Sequence, residues 1–97
     1  MIYAIMLCCG LDIFVSPWPQ LPPARFDHAY RGHLEARYGS EQQLQQWCGM
    51  NVRACARPRG KGGCIIFLPS SGHPQIVAAL RRHEIAHCNG WPADHPR

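Results

Sequence analysis

The chain has 97 residues, of which 46% are hydrophobic, and ten Lys and Arg against six Asp and Glu give it a formal net charge of +4. This length favours one small domain and excludes large enzyme folds such as dinucleotide-binding domains and α/β barrels, while the apolar share argues against a disordered chain. The positive excess is modest, so the charge does not by itself indicate a nucleic-acid partner and we expect no specific one.

The first residues of the chain, MIYAIMLCCGLDIFV, are almost entirely apolar. The segment is short for a transmembrane helix and Gly10 and Asp12 interrupt it, so we expect no stable membrane span. It has the length of a signal-peptide core, but no Lys or Arg precedes it and no clear small-residue cleavage site follows. A signal remnant is the favoured interpretation, and a buried first strand or helix or a peripheral anchor are the alternatives.

Four prolines in residues 16–24 predict an extended linker. We therefore divide the chain into residues 1–24, which combine the apolar segment and the linker, and one folded domain over residues 25–97.

Six cysteines are present, an even number and a large share for so short a chain. They are Cys8, Cys9, Cys48, Cys55, Cys64 and Cys88. This composition predicts a disulfide framework and an oxidising compartment, periplasmic or secreted, with buried free thiols in a cytosolic protein as the alternative. No Cys-x-x-Cys pair occurs, which argues against a zinc ribbon.

Helical spacing predicts a first helix between Phe26 and Tyr38, because apolar or aromatic residues recur three or four positions apart. They are Phe26, Ala29, Tyr30, Leu34 and Tyr38. Gly39 is suited to end this helix.

A second helix is predicted from Glu41 to Cys48. Ser40 and Gln43 match a capping box at its start, and Gly49 is suited to end it. A single kinked helix over both segments is the alternative.

Two further segments predict a β-hairpin. Residues 51–57 alternate in polarity, residues 64–68 are apolar and rich in β-branched side chains, and a Gly-rich turn lies between them. Cys55 and Cys64 could face each other across this hairpin, although the sequence leaves the pairing of the cysteines open.

The spacing of apolar residues returns to a helical period after Pro74. His73 or Ser71 is predicted to cap this helix, and Asn89-Gly90 to end it. All these elements together predict a small α+β domain in which helices pack on a short hairpin or sheet, stapled by disulfides.

The residues His83, Glu84 and His87 form the pattern H-E-x-x-H on this last helix. Positions i and i+4 lie on one face of a helix, so the two imidazoles can bind one zinc ion. Glu84 lies about 100° around the helix from His83 and can border the metal without coordinating it.

A catalytic zinc site needs a third protein ligand and an open position. The reversal expected at Gly90 favours His95 as this ligand, with Asp94 as the alternative; if His95 binds, Asp94 is a candidate hydrogen-bond partner of a ligand. Cys88 is a weaker candidate for a further ligand, because its side chain points away from that of His87, and a disulfide is the favoured interpretation.

The segment HEIAHCNGWPADH resembles the zincin metallopeptidases, and most closely the metzincin branch, whose pattern is H-E-x-x-H-x-x-G-x-x-H. The match covers the first two histidines, Glu84 and Gly90. The third His of the family would fall at Ala93, whereas here His95 comes two residues later.

This resemblance implies a zincin-like core, a zinc cofactor and the hydrolysis of peptide bonds in a peptide or protein substrate. Glu84 would act as the general base that takes a proton from the water that zinc activates. An edge strand, either residues 64–68 or residues 52–57, would bind the extended peptide. His73 and Arg82 are candidate donors to the oxyanion.

The alternative to a zinc metallopeptidase is a non-enzymatic, disulfide-stapled binding module with a structural metal or none. A decayed or truncated gene product is a third hypothesis. The sequence leaves the oligomeric state and the cleavage specificity open.

Overall fold

The computed structural model describes residues 16–97, and the interpretations of the apolar segment before them lie outside these residues. After a short 3-10 turn, a three-stranded sheet and two α-helices form. The elements are the turn Ala24–Phe26, β1 His33–Gly39, α1 Glu41–Cys48, β2 Cys55–Arg59, β3 Gly63–Pro69 and α2 Pro74–Cys88. The predicted small α+β class is confirmed.

The strand β3 is the centre of the sheet, which has the order β1-β3-β2. It pairs antiparallel with β2, as the predicted hairpin requires, and parallel with β1. All five side chains from Cys64 to Leu68 are buried. A strand covered on both faces reads as a continuous apolar run, which explains why this segment shows no alternation in the sequence.

Each face of the sheet is covered by one helix. On one face, Leu80 of α2 packs with Ile66 and Leu68 in a cluster that also contains Ala54. On the other face, Leu44 of α1 packs with Ile65 and Phe67. Successive residues of β3 therefore serve opposite cores, and full burial of each large side chain contributes roughly 1.5–3 kcal/mol to stability.

The helix predicted between Phe26 and Tyr38 is wrong. Residues 33–39 form β1 instead, which pairs with β3 at all seven of its positions. Leu34 and Ala36 also recur at a spacing of two, and both pack against the α2 side of the sheet. The spacing of these apolar residues is compatible with both a helix and a strand. The pairing with β3 and the burial against α2 decide in favour of the strand.

The ends of both α-helices agree with the sequence. The Ser40 and Gln43 side chains form the predicted capping box of α1. At the start of α2, the backbone N–H of Gln75 donates to Nδ1 of His73, and Pro74 occupies the first turn. These local side-chain to backbone bonds fix the residues at which the two helices begin.

The strand β2 begins at Cys55 and continues to Arg59, later than predicted, so that Val52 and Ala54 precede it. It includes Pro58, which an edge strand tolerates because one of its sides makes no ladder hydrogen bonds.

Within residues 16–97, two disulfides connect the helices to the sheet: Cys48–Cys55 and Cys64–Cys88. The suggested pairing of Cys55 with Cys64 is wrong, because Cys55 lies opposite Phe67 on the α1 side while Cys64 shares the α2 side with Ile66. Each disulfide therefore joins β-strand and helix on one face of the sheet. Disulfides of this kind indicate an oxidising compartment.

No helix within residues 16–97 has the length and the apolar character needed to cross a membrane.

Candidate metal centre

The helix α2 places His83 and His87 on one face, one turn apart. Their Nε2 atoms are 3.3 Å from each other. The predicted juxtaposition of the two imidazoles is therefore present, and it follows from their separation by one turn within a 15-residue helix.

The end of α2 folds the chain back over the second histidine. Gly90, with a φ of 106°, and Trp91 donate backbone hydrogen bonds to the carbonyls of His87 and Ala86, the pattern of a Schellman motif. This reversal brings the carbonyl oxygen of Trp91 within 2.7 Å of Nδ1 of His87. The predicted stop at Asn89-Gly90 therefore also orients a histidine of the site.

The tail after Gly90 returns to the same point. The backbone N–H of His95 donates to the carbonyl of Pro92 at 3.0 Å, and His95 adopts a positive φ of 59°. Its Nε2 atom lies 3.1 Å from Nε2 of His83 and 3.1 Å from Nε2 of His87. Three imidazole nitrogens thus converge, and His95 occupies the position predicted for the third ligand.

The proline-rich segment takes part in this arrangement, which nothing in the sequence indicated. It is extended, as its composition predicts, but the carbonyl oxygen of Gln20 lies 2.8 Å from Nδ1 of His83. Pro22 is buried, and Arg53 donates to the carbonyl of Pro17 at 2.6 Å. The group that contacts His83 is the backbone carbonyl of Gln20, and any residue type supplies such a carbonyl, so the sequence could not indicate this contact.

These two carbonyls decide the tautomers of their histidines. An oxygen cannot donate, so Nδ1 of His83 and Nδ1 of His87 must each carry the proton that the carbonyl accepts. In the neutral rings both Nε2 atoms then hold lone pairs that face each other at 3.3 Å. His95 can donate to at most one of them. Such a group of acceptors is satisfied by a cation placed between them.

The distances fit a tetrahedral metal ion. Three nitrogens bound to one zinc at 2.0–2.1 Å with tetrahedral angles would be about 3.3–3.4 Å apart. The three Nε2 atoms are separated by 3.1, 3.1 and 3.3 Å. A divalent ion of this size fits the three rings, and one coordination position is left for a further ligand.

The surroundings also favour the neutral, metal-binding form of the rings. Burial lowers the pKa of His83, and the neighbouring imidazoles lower it further by charge repulsion. Burial likewise lowers the pKa of His87. Burial and charge repulsion thus outweigh the hydrogen bonds to the carbonyls, which alone would raise the pKa of each histidine. Less competition from protons strengthens binding of a metal.

Glu84 lies beside these rings and is only 5% exposed. Within the described residues its side chain makes no hydrogen bond or ion pair, and burial raises the pKa of its carboxyl to about 7. A buried carboxylate without a partner is costly. A bound cation would favour its charged form, because an opposite charge nearby lowers the pKa of a carboxyl group.

The three histidines and Glu84 line one cleft of about 510 Å³. The opposite wall is apolar and comes from β2 and the residues before it. Its members are Val52, Ala54, Cys55, Ala56 and Pro58, and Trp91 and Ala93 complete the lining. The cleft thus combines converging metal ligands, a buried carboxyl group and an apolar wall.

The other candidate residues of the sequence are placed elsewhere. Asp94 is exposed and is not among the residues whose ligand atoms converge. His73 caps the far end of α2, and Arg82 is paired with Asp27. Cys88 is bonded to Cys64, so its sulfur is not available to a metal.

Comparisons of the chain with protein-family models, curated proteins and solved structures find no match.

Proposed function

We propose that this protein is a zinc-dependent hydrolase that cleaves peptide bonds in an extended peptide or protein substrate. The observation that carries the proposal is the convergence of three Nε2 atoms within 3.1–3.3 Å, two of them fixed as acceptors, at a cleft that a buried, unpartnered Glu84 also lines. The zincin-like pattern H-E-x-x-H agrees with this function but covers only a short segment.

His83, His87 and His95 would hold the ion, and the Nδ1 contacts of His83 and His87 would keep these two rings oriented. When bound, zinc supplies Lewis acidity that activates water and polarises a carbonyl group. Glu84 would take the proton of the attacking water at its carboxylate and pass it to the leaving amine. Its burial keeps bulk water from competing with this transfer.

The open edge of strand β2 favours an extended peptide as the substrate. The central strand β3 is paired on both sides, so of the two strands suggested by the sequence only the one that contains residues 55–57 has an open edge. Pro58 has no N–H and fits a position whose backbone groups point away from β3. Ala56, two residues earlier, then directs its N–H and C=O to the same open side. An extended chain could pair with these groups beside the cleft.

The disulfides favour an exported protein, periplasmic or secreted. Both bonds join the sheet to a helix, so a reducing compartment would loosen the support of the metal centre.

The test uses purified full-length protein with intact disulfides. We expect one zinc ion per chain and hydrolysis of peptides from a mixed library, detected by mass spectrometry. Glu84→Gln should keep the zinc and lower turnover by about 10²–10⁴-fold, because only the proton acceptor is lost. Glu41→Gln, which changes an exposed Glu at the start of α1, is the matched control and should cleave like the native protein.

Two results would overturn the proposal. Turnover that survives Glu84→Gln would exclude this residue as the base. Tight zinc binding without cleavage of any peptide would favour the disulfide-stapled binding module, in which the metal is structural.

A further inference from the structure

We infer that Trp91 is the positioning residue for His95, and that it allows a histidine eight residues after His87 to complete the metal centre. The inference rests on the proposed function in so far as it requires a metal bound by the three imidazoles. The pattern H-E-x-x-H does not explain why the chain after Gly90 returns to the two helical histidines, and the inference attributes this return to the side chain of Trp91.

The indole ring of Trp91 contacts every ligand ring. It stacks on His87 with an interplanar angle of 14° and a centroid distance of 4.8 Å. Its centroid is 4.9 Å from those of His83 and His95, which it meets edge to face. Trp91 is 2% exposed. The ring therefore forms a common packing surface that limits the positions that the three imidazoles can take.

The indole nitrogen holds the chain immediately after the third ligand. Nε1 of Trp91 donates to the carbonyl of Pro96 at 2.8 Å. His95 itself has a φ of 59°, a conformation that residues other than glycine rarely adopt and that neighbouring contacts must maintain. The hydrogen bond from the indole to Pro96 closes a loop that begins at the backbone of Trp91 and ends at its side chain. His95 is consequently held from the residue that follows it as well as from the turn at Pro92.

The same residue orients a second ligand through a different atom. The carbonyl of Trp91 accepts the Nδ1 proton of His87, and this contact depends on the backbone alone. Replacing Trp91 by Phe keeps this backbone contact and an aromatic ring beside His83 and His87, and it removes the indole N–H that Pro96 accepts. The two contributions can therefore be separated by mutation.

The first experiment compares Trp91→Phe with Trp47→Phe. Phenylalanine keeps an aromatic ring at residue 91 but loses the N–H that Pro96 accepts. Trp47 packs on Phe67 on the α1 side of the sheet, so its replacement removes an indole far from the ligands. Zinc affinity is measured by competition with a chromophoric chelator, and the coordination geometry by the visible absorption of the cobalt-substituted protein.

We expect Trp91→Phe to weaken zinc binding about 10–100-fold and to change the cobalt spectrum, as the loss of a contact that orients a ligand typically does. Trp47→Phe should leave both unchanged. His95→Ala gives the zinc affinity of a site with only two histidine ligands. The double variant Trp91→Phe, His95→Ala should bind zinc no more weakly than His95→Ala alone. A further loss in the double variant would overturn the inference, since the indole N–H would then support zinc binding by a route other than His95.

A second measurement does not depend on the folding of a variant. In the native protein we expect the indole hydrogen of Trp91 to exchange with solvent more slowly than that of Trp18, which is 50% exposed, and more slowly with zinc than without. An indole hydrogen that exchanges as fast as that of Trp18 would overturn the inference.

The two proposals fail in different ways. Native protein without zinc affinity would overturn the proposed function and this inference together. Tight zinc binding by both the native protein and folded Trp91→Phe, with identical cobalt spectra, would overturn this inference alone.

Discussion

The carbonyl oxygen of Trp91 lies 2.7 Å from Nδ1 of His87, four residues before it in the chain. The carbonyl oxygen of Gln20 makes the corresponding contact with Nδ1 of His83 from the opposite end of the described chain, at 2.8 Å. Two backbone groups from distant segments thus give both helical histidines the same tautomer, with Nε2 as the acceptor. The candidate metal centre is therefore a product of the tertiary fold as well as of the short motif on α2.

Zinc should stabilise the folded protein. An ion that binds only the native state adds about 2.7 kcal/mol to the free energy of unfolding at a concentration of 100 times its Kd. For a domain of this size, that corresponds to a rise in Tm of roughly 10–20 °C. The measurement is thermal unfolding followed by circular dichroism, with zinc and with a chelator.

His95→Ala provides the control for this shift. The variant keeps the two helical ligands, so we expect a clearly smaller rise in Tm at the same zinc concentration. An equal rise in the native protein and in His95→Ala would show that the third imidazole does not bind the ion.

Gly90→Ala should destabilise the fold and weaken metal binding together. The φ of 106° at Gly90 is strained for alanine, at a cost of about 1–2 kcal/mol. The added Cβ would meet Phe26 only at an ordinary contact distance of 3.8 Å, so the backbone conformation is the cause. Relief of the strain would move the carbonyl of Trp91 away from His87, and zinc affinity should fall about 10-fold or more.

Gly60→Ala is the matched control, because Gly60 lies in the hairpin turn and an added Cβ there meets no atom within 4 Å. Urea unfolding and chelator competition should give values close to those of the native protein. Equal effects of the two substitutions on zinc affinity would contradict the role of the turn at Gly90.

The helix α2 and its motif were readable from the sequence because their signals are local. The cap at His73, the apolar period and the stop at Asn89-Gly90 all lie within or next to the helix that they define. His95 was accessible for the same reason, since the reversal that returns it to the helix begins only five residues earlier.

The strand β1 was not readable because its partner lies far away in the chain. His33 pairs with Gly63, and the spacing of Leu34 and its neighbours is compatible with either a helix or a strand until that partner is known. The contact of Gln20 with His83 had no sequence signal at all, because any residue supplies a carbonyl oxygen.

Asp27 should add a small, pH-dependent increment to stability. Arg82 donates two hydrogen bonds to its carboxylate, and these bonds hold the pKa of Asp27 below its ordinary value, with additional attraction from the charges of Arg82 and His28. Because the folded pKa is the lower one, the increment is present above the unfolded pKa of about 3.9 and is lost as the pH falls through the folded value.

Urea unfolding at about pH 6 and about pH 2 should therefore give a difference between native protein and Asp27→Asn that is larger at the higher pH than at the lower. The difference should be small and should decrease with salt, because the Arg82 side chain is 55% exposed. A difference of the same size at both values of pH would mean that the charge of Asp27 does not contribute.

The two disulfides should differ in what their removal does to the metal centre. Cys64–Cys88 closes a loop with a sequence separation of 24, and Cys48–Cys55 one of 7. Loop entropy then predicts losses of about 3.5 and about 2.5 kcal/mol for the double alanine variants. Cys88 follows His87 directly and ties the end of α2 to β3, whereas Cys48–Cys55 lies on the α1 side of the sheet.

We therefore expect the variant without Cys64–Cys88 to bind zinc more weakly even under conditions in which it is folded, and the variant without Cys48–Cys55 to keep native affinity. Chelator competition on both variants, each checked for folding by near-ultraviolet circular dichroism, measures this contrast. Since both lose one disulfide and both are destabilised, a general loosening of the fold would weaken zinc binding in both. Equal affinities in the two variants would contradict a specific support of His87 by Cys88.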